Sequence, residues 1–162
     1  MTSEVQVSER TSVSVEISAP AREVWSMIAD VTRMGEWSPE NDGAMWLHGV
    51  TGPTPGAAFR GRNHIGRKRW TTVCTVVEAT PGQVFSFTVA AGIFKVAEWR
   101  FDIEPLADGC RVTETWIDRR GSLIRIYGKV WLGVSDRVPH NLTNMEQTLH
   151  LLKKSAEAGT SA

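Results

Sequence analysis

The sequence predicts an α+β fold: a curved, seven-stranded antiparallel sheet wrapped on a long C-terminal helix, with two short helices after strand 1. Three observations predict it. Apolar residues alternate with polar ones over 12–18 and again in six segments between 44 and 118, the period of a half-buried strand. The six segments are joined by short, turn-rich separators, which make successive strands antiparallel neighbours. In the last third the period changes, and Val134, Val138, Leu142, Met145, Leu149 and Leu152 recur at spacings of three and four.

In order along the chain, Val13, Val15 and Ile17 form the inward face of the first strand. Ala19-Pro20 then starts a helix, with Pro in the first turn and Glu23 near the positive end of the dipole. Val24, Trp25, Ile28 and Val31 are its apolar face. A second short helical turn over 32–37 must stop before Pro39, because the residue preceding a proline is pushed out of the α region. The six further strands are expected at 44–49, 57–64, 69–78, 83–90, 96–104 and 110–118. Pro139 either kinks the C-terminal helix or stands in the first turn of a helix that starts near Asp136. Residues 11–156 are expected to form one domain, with a flexible N-terminus over 1–10 and a flexible tail over 157–162. A sheet that curves around one amphipathic helix cannot fill its concavity with that helix's single face. A cavity is expected between the two.

The 162 residues carry 18 basic and 18 acidic side chains, a formal net charge of zero, which argues against a nucleic-acid partner. The stretch FRGRNHIGRKRW over 59–70 is locally basic. At period two, however, Arg60, Arg62 and His64 point one way, while Phe59, Gly61, Asn63 and, after the turn, Trp70 point the other. Cys74 and Cys110 lack metal or redox spacing and read as free thiols. His48, His64, His140 and His150 do not combine into a metal site, and neither a metal nor a cofactor is expected. With no apolar run near 18 residues and no N-terminal leader, stable membrane insertion is not expected and a cytoplasmic location is. A homodimer stays open.

Strand period also sorts the cavity face. Phe85, Phe87 and Val89 share one side of their strand, Trp99, Phe101 and Ile103 one side of the next, and Val112, Glu114 and Trp116 one side of the last. Glu114 is thereby an acid among inward apolar residues. Glu114 and Asn63 have two readings: each is satisfied by backbone or a neighbour, or the two orient the polar head of an apolar ligand. Trp37 and Trp46 lie toward the expected mouth, and Tyr127 and Trp131 precede the last helix as a lid or as packing. Glu40 is expected to be structural, pairing with a basic residue of the 59–70 hairpin. Glu114 and His140 are the candidates to move a proton, should the cavity catalyse a reaction.

The matching words Ile17-Ser18-Ala19-Pro20, Val24-Trp25, Ala29-Asp30-Val31, Glu36-Trp37-Ser38-Pro39-Glu40, Gly56 to Asn63, Trp70-Thr71-Thr72 and Gly109 to Glu114 resemble the SRPBCC superfamily. This is the helix-grip fold of START lipid-transfer and birch-pollen-allergen-like proteins. More narrowly, the chain resembles the bacterial polyketide cyclase/dehydrase group over roughly residues 12 to 155. The resemblance implies a hydrophobic pocket between sheet and helix, with its mouth near the loops at 37–43, 52–56 and 91–95. It implies a lipid, polyketide-like or aromatic ligand, or a cyclase or dehydratase working in the same pocket, and it carries no shared catalytic set.

Overall fold

The computed structural model describes residues 10–120 and 137–160. Strand β1 (Arg10–Ile17) leads into α1 (Ala21–Ala29) and a 3₁₀ turn (Val31–Glu36). Six strands follow: β2 (Asn41–Trp46), β3 (Ala58–Ile65), β4 (Lys68–Thr80), β5 (Val84–Ala91), β6 (Phe94–Leu106) and β7 (Gly109–Asp118). Helix α2 (Arg137–Thr160) closes the described fold. The seven strands form one antiparallel sheet in the order β1-β7-β6-β5-β4-β3-β2, a helix-grip fold.

The connection from β1 to β2 spans from one edge of the sheet to the other, and its two short helices sit on that path. Val24, Trp25, Ile28 and Val31 are buried as their spacing predicts, and the Trp25 indole N–H donates to the Val84 carbonyl at 2.8 Å. The sheet is bent by register shifts between Asn41 and Gly43, Val76 and Glu78, and Val89 and Ala90. Each extra residue raises the local twist and bends its strand, giving the sheet a concave side. Close approach at the β1–β7 end requires Gly109 (φ 144°): a Cβ there would lie 2.1 Å from the Ile17 carbonyl oxygen.

Two expectations change. β2 lies three residues earlier than 44–49, because His48 (φ 56°) and Gly49 (φ 73°) leave the extended region after Trp46. On α2 the inward stripe is Asn141, Met145, Thr148, Leu149, Leu152 and Ala156, and Leu142, expected inward, is 37% exposed. Pro139 stands in the first turn of α2, where a missing N–H leaves no hydrogen bond unmade. Val134 falls outside the described residues.

The convex side carries the charges. Arg100 bridges Glu78 and Asp102, Arg111 bridges Glu16 and Glu104, and Arg119 meets Glu98. The basic hairpin behaves likewise: Arg69 pairs with Asp42 at 2.6 Å, His64 lies 2.9 Å from the same carboxylate, and Arg62 donates to the Asp42 carbonyl. Among the described residues no helix is long and apolar enough to cross a membrane.

Candidate functional site: the cavity between sheet and helix

The concave side of the sheet and helix α2 enclose a cavity of about 430 Å³. Its aromatic lining comes from five strands and the end of the 3₁₀ turn: Trp37 after that turn, Phe59 on β3, Trp70 on β4, Phe87 on β5, Trp99 and Phe101 on β6, and Trp116 on β7. Phe59 and Phe87 meet edge to face with centroids 5.2 Å apart. The guanidinium of Arg33 lies 5.3 Å from the centroid of the Trp37 ring.

Three groups interrupt this apolar surface. The first is a chain of neutral polar side chains across β2, β3 and β4. Asn41 Nδ2 donates to Asn63 Oδ1 (3.2 Å), Asn63 Nδ2 donates to Thr72 Oγ1 (3.0 Å), and Asn41 Oδ1 accepts the Gly43 N–H (2.7 Å). Gly61 makes room for it, since a Cβ there would lie 3.3 Å from Asn41 Nδ2 and 3.4 Å from Thr72 Oγ1. Cys74 continues the same face, and burial pushes its thiol up to about 12, which keeps it protonated and unreactive at neutral pH.

The second group joins the cavity wall to the start of α2. The Glu40 carboxylate contacts His140 Nε2 and accepts from Asn144 Nδ2 at 2.9 Å. Glu40 and Asn144 line the cavity. His140 is absent from the lining, its ring being held against Glu40. The expected partner of Glu40 is thereby corrected: its carboxylate reaches helix α2, and Asp42 is the acid that holds Arg69 of the basic hairpin.

The third is Glu114, in the middle of β7 with Val13 and Phe101 as its cross-strand neighbours. It is 4% exposed and lines the cavity, and its Oε2 has no hydrogen-bond partner. Burial raises its pKa well above the ordinary carboxylate value, and no described residue supplies an opposing charge to bring it back. Arg120 also lines the cavity, but its guanidinium is committed to the buried carboxylate of Asp118 at 2.9 and 2.8 Å.

Of the residues expected to touch a ligand, Trp37, Phe59, Asn63, Trp70, Phe87, Trp99, Phe101, Glu114 and Trp116 meet at this cavity. Phe85 is fully buried core, and Trp46 packs its edge on Phe59 at 5.5 Å; neither lines the cavity. Tyr127 and Trp131 lie outside the described residues. Of the three loops expected at the mouth, 37–43 and 91–95 contribute lining residues. The 52–56 loop does not, because Gly56 N–H bonds to Val76 O and ties it to the far half of β4. Asn41, Thr72, Cys74, Asn141, Asn144 and Thr148 line the cavity without having been singled out. Thr72 and Cys74 were within reach, lying two and four residues past Trp70 on one strand face.

The family model for polyketide cyclase / dehydrase and lipid transport proteins matches residues 8–157. The chain belongs to that family. Members of the wider SRPBCC superfamily share its architecture. A polyketide-cyclase-like protein of Corynebacterium glutamicum is 28% identical over 96% of each chain, with a TM-score of 0.66. The two-domain aromatase/cyclase StfQ of the steffimycin biosynthetic pathway superposes at a TM-score of 0.71 and 14% identity, over 94% of this chain and 52% of its own. A major latex-like protein of Panax ginseng superposes at 0.71 and 11% identity, over 93% and 98%. The last two likenesses concern the fold alone. No curated protein matches the chain.

Proposed function

We propose that this cyclase/lipid-transport family member binds a small, largely apolar molecule, a lipid, a polyketide-like compound or an aromatic, between its sheet and helix α2. One observation carries the reading: a cavity of about 430 Å³ whose walls are seven aromatic rings with a few placed polar groups. That volume falls within the range of small-molecule pockets, and the ratio of apolar wall to polar anchor is theirs. Burial of an aromatic ligand against Trp37, Trp70, Trp99 and Trp116 should alter their fluorescence. Titration with the neutral dyes 1-aminoanthracene and N-phenyl-1-naphthylamine is expected to quench it and to saturate at one equivalent. Absence of saturable binding by either dye, with the fold intact by circular dichroism, contradicts the reading.

A second reading is an enzyme of the cyclase or dehydratase type acting on a poly-β-keto substrate in the same cavity. Glu114 favours it: a buried carboxyl kept protonated can deliver a proton to a ligand oxygen, while the walls hold the chain folded. His140 has the weaker claim in this reading, because its ring contacts Glu40 and is not itself part of the cavity lining. Loss of turnover in Glu114→Gln with unchanged ligand binding would support the enzyme; wild-type turnover in that variant would remove Glu114 from it.

A further inference from the structure

The wall of the cavity carries few charges. Three charged side chains line it among the described residues: Glu40, Glu114 and Arg120. Glu40 is engaged by His140 and Asn144, and Arg120 by Asp118. The helix side chains that line it, Asn141, Asn144, Met145 and Thr148, do not titrate. Across the sheet Glu114 faces Val13 on β1 and Phe101 on β6. Cys74, the one other titratable lining group, is a protonated thiol. Glu114 is therefore a polar group in an apolar wall with an unanswered carboxyl oxygen and, among the described residues, no cation beside it.

We propose that Glu114 makes the cavity selective for neutral ligands that carry a hydrogen-bond acceptor, such as a ketone, quinone or amide carbonyl, and that it discriminates against carboxylates. This rests on the binding reading above and names the ligand class that reading leaves open. A buried polar group without a partner is costly, and a ligand carbonyl placed at Glu114 removes that cost by accepting its O–H. A carboxylate ligand would instead bring a charge to a wall with two acids, and the one lining cation among the described residues is already neutralised by Asp118. An amine would have to form a buried ion pair whose remaining N–H groups meet an apolar wall, with a desolvation penalty that the pair does not recover. The raised pKa of Glu114 agrees with the neutral, donating state.

The test is a set of four naphthalenes of nearly equal shape: 2-acetylnaphthalene, 2-isopropylnaphthalene, 2-naphthoate and 2-(aminomethyl)naphthalene. Their affinities are measured by calorimetry at pH 7 on the full chain and on Glu114→Leu and Glu114→Gln, each checked for folding by circular dichroism. Wild type is expected to bind the ketone about tenfold more tightly than the hydrocarbon, the worth of one hydrogen bond, and the naphthoate most weakly. Leu at 114 should abolish the ketone preference while hydrocarbon binding is kept or improved. Gln, which also donates, should keep the preference and make it insensitive to pH, whereas in wild type it fades as pH rises far enough to ionise Glu114. Equal affinity for ketone and hydrocarbon in wild type overturns the inference and leaves the binding reading standing. So does a ketone preference unchanged in Glu114→Leu, and so does tightest binding of the naphthoate or the amine. Binding of none of the four overturns both.

Discussion

Asn63 and Glu114 are both polar residues on the inward face of the sheet, and the structure treats them in opposite ways. Asn63 donates to Thr72 and accepts from Asn41, so its amide is occupied on both sides and its cavity wall is already closed by hydrogen bonds. Glu114 sits among apolar neighbours with a carboxyl oxygen that no residue answers. Buried polar groups in native proteins are almost always satisfied, so a satisfied one needs no function to explain it and an unsatisfied one does. Asn63 is answered within the protein, and Glu114 is not.

This contrast can be broken by mutation, and the largest expected effect falls on the closed network. Asn63→Leu strands Asn41 Nδ2 and leaves Thr72 Oγ1 with only its long contact to Cys74 Sγ, and it should destabilise the fold by ~2 kcal/mol, read from urea unfolding. Glu114→Leu should move the other way, leaving stability unchanged or raising it by up to ~1 kcal/mol at pH 8, because nothing is orphaned by its removal. The pH dependence sharpens the point. Burial raises the folded pKa of Glu114, so the unfolded chain gives up this proton first as pH rises. Wild type should therefore be most stable relative to Glu114→Leu below the ordinary carboxylate range. That advantage should decline as pH climbs from there through the folded pKa; a constant difference across pH contradicts it. Thr72→Val should cost ~1 kcal/mol alone and measurably less in the Asn63→Leu background, because the two share one hydrogen bond. Additive costs in that cycle would show the network to be uncoupled. The smallest effect is expected from His140→Ala. Its partly exposed pair with Glu40 is worth under ~1 kcal/mol, and dye binding should persist because the ring is not part of the wall.

Most of the fold was legible because it rests on local period. Alternation alone put Trp99, Phe101, Glu114 and Trp116 on one side of their strands, and a spacing of three and four put Met145, Leu149 and Leu152 toward the sheet. It misplaced Leu142 because hydropathy ranks Leu above Asn, whereas the first turns of α2 face polar groups at the cavity wall, where Asn141 and Asn144 are the better fit. The partners were less legible than the faces. Glu40 and His140 are 100 positions apart, and no period connects them. Asn41 reaches Asn63 from a strand 22 residues earlier, through a bulge at Gly43 that a Pro-Glu-Asn-Asp-Gly run conceals as loop. Whether a polar residue is answered or left open depends on three-dimensional neighbours, so sequence could raise the question for Asn63 and Glu114 together and could not separate them.

The most direct test of that separation is the ionisation of Glu114 itself. The side-chain carboxyl carbons of a 13C-glutamate-labelled sample can be followed by NMR from pH 3 to 9, with Glu114 assigned by its loss in Glu114→Gln. A resonance that stays protonated well above the range where the surface glutamates titrate is the predicted result. Titration of Glu114 together with those surface groups would contradict the account of the cavity as a dry wall with one open donor.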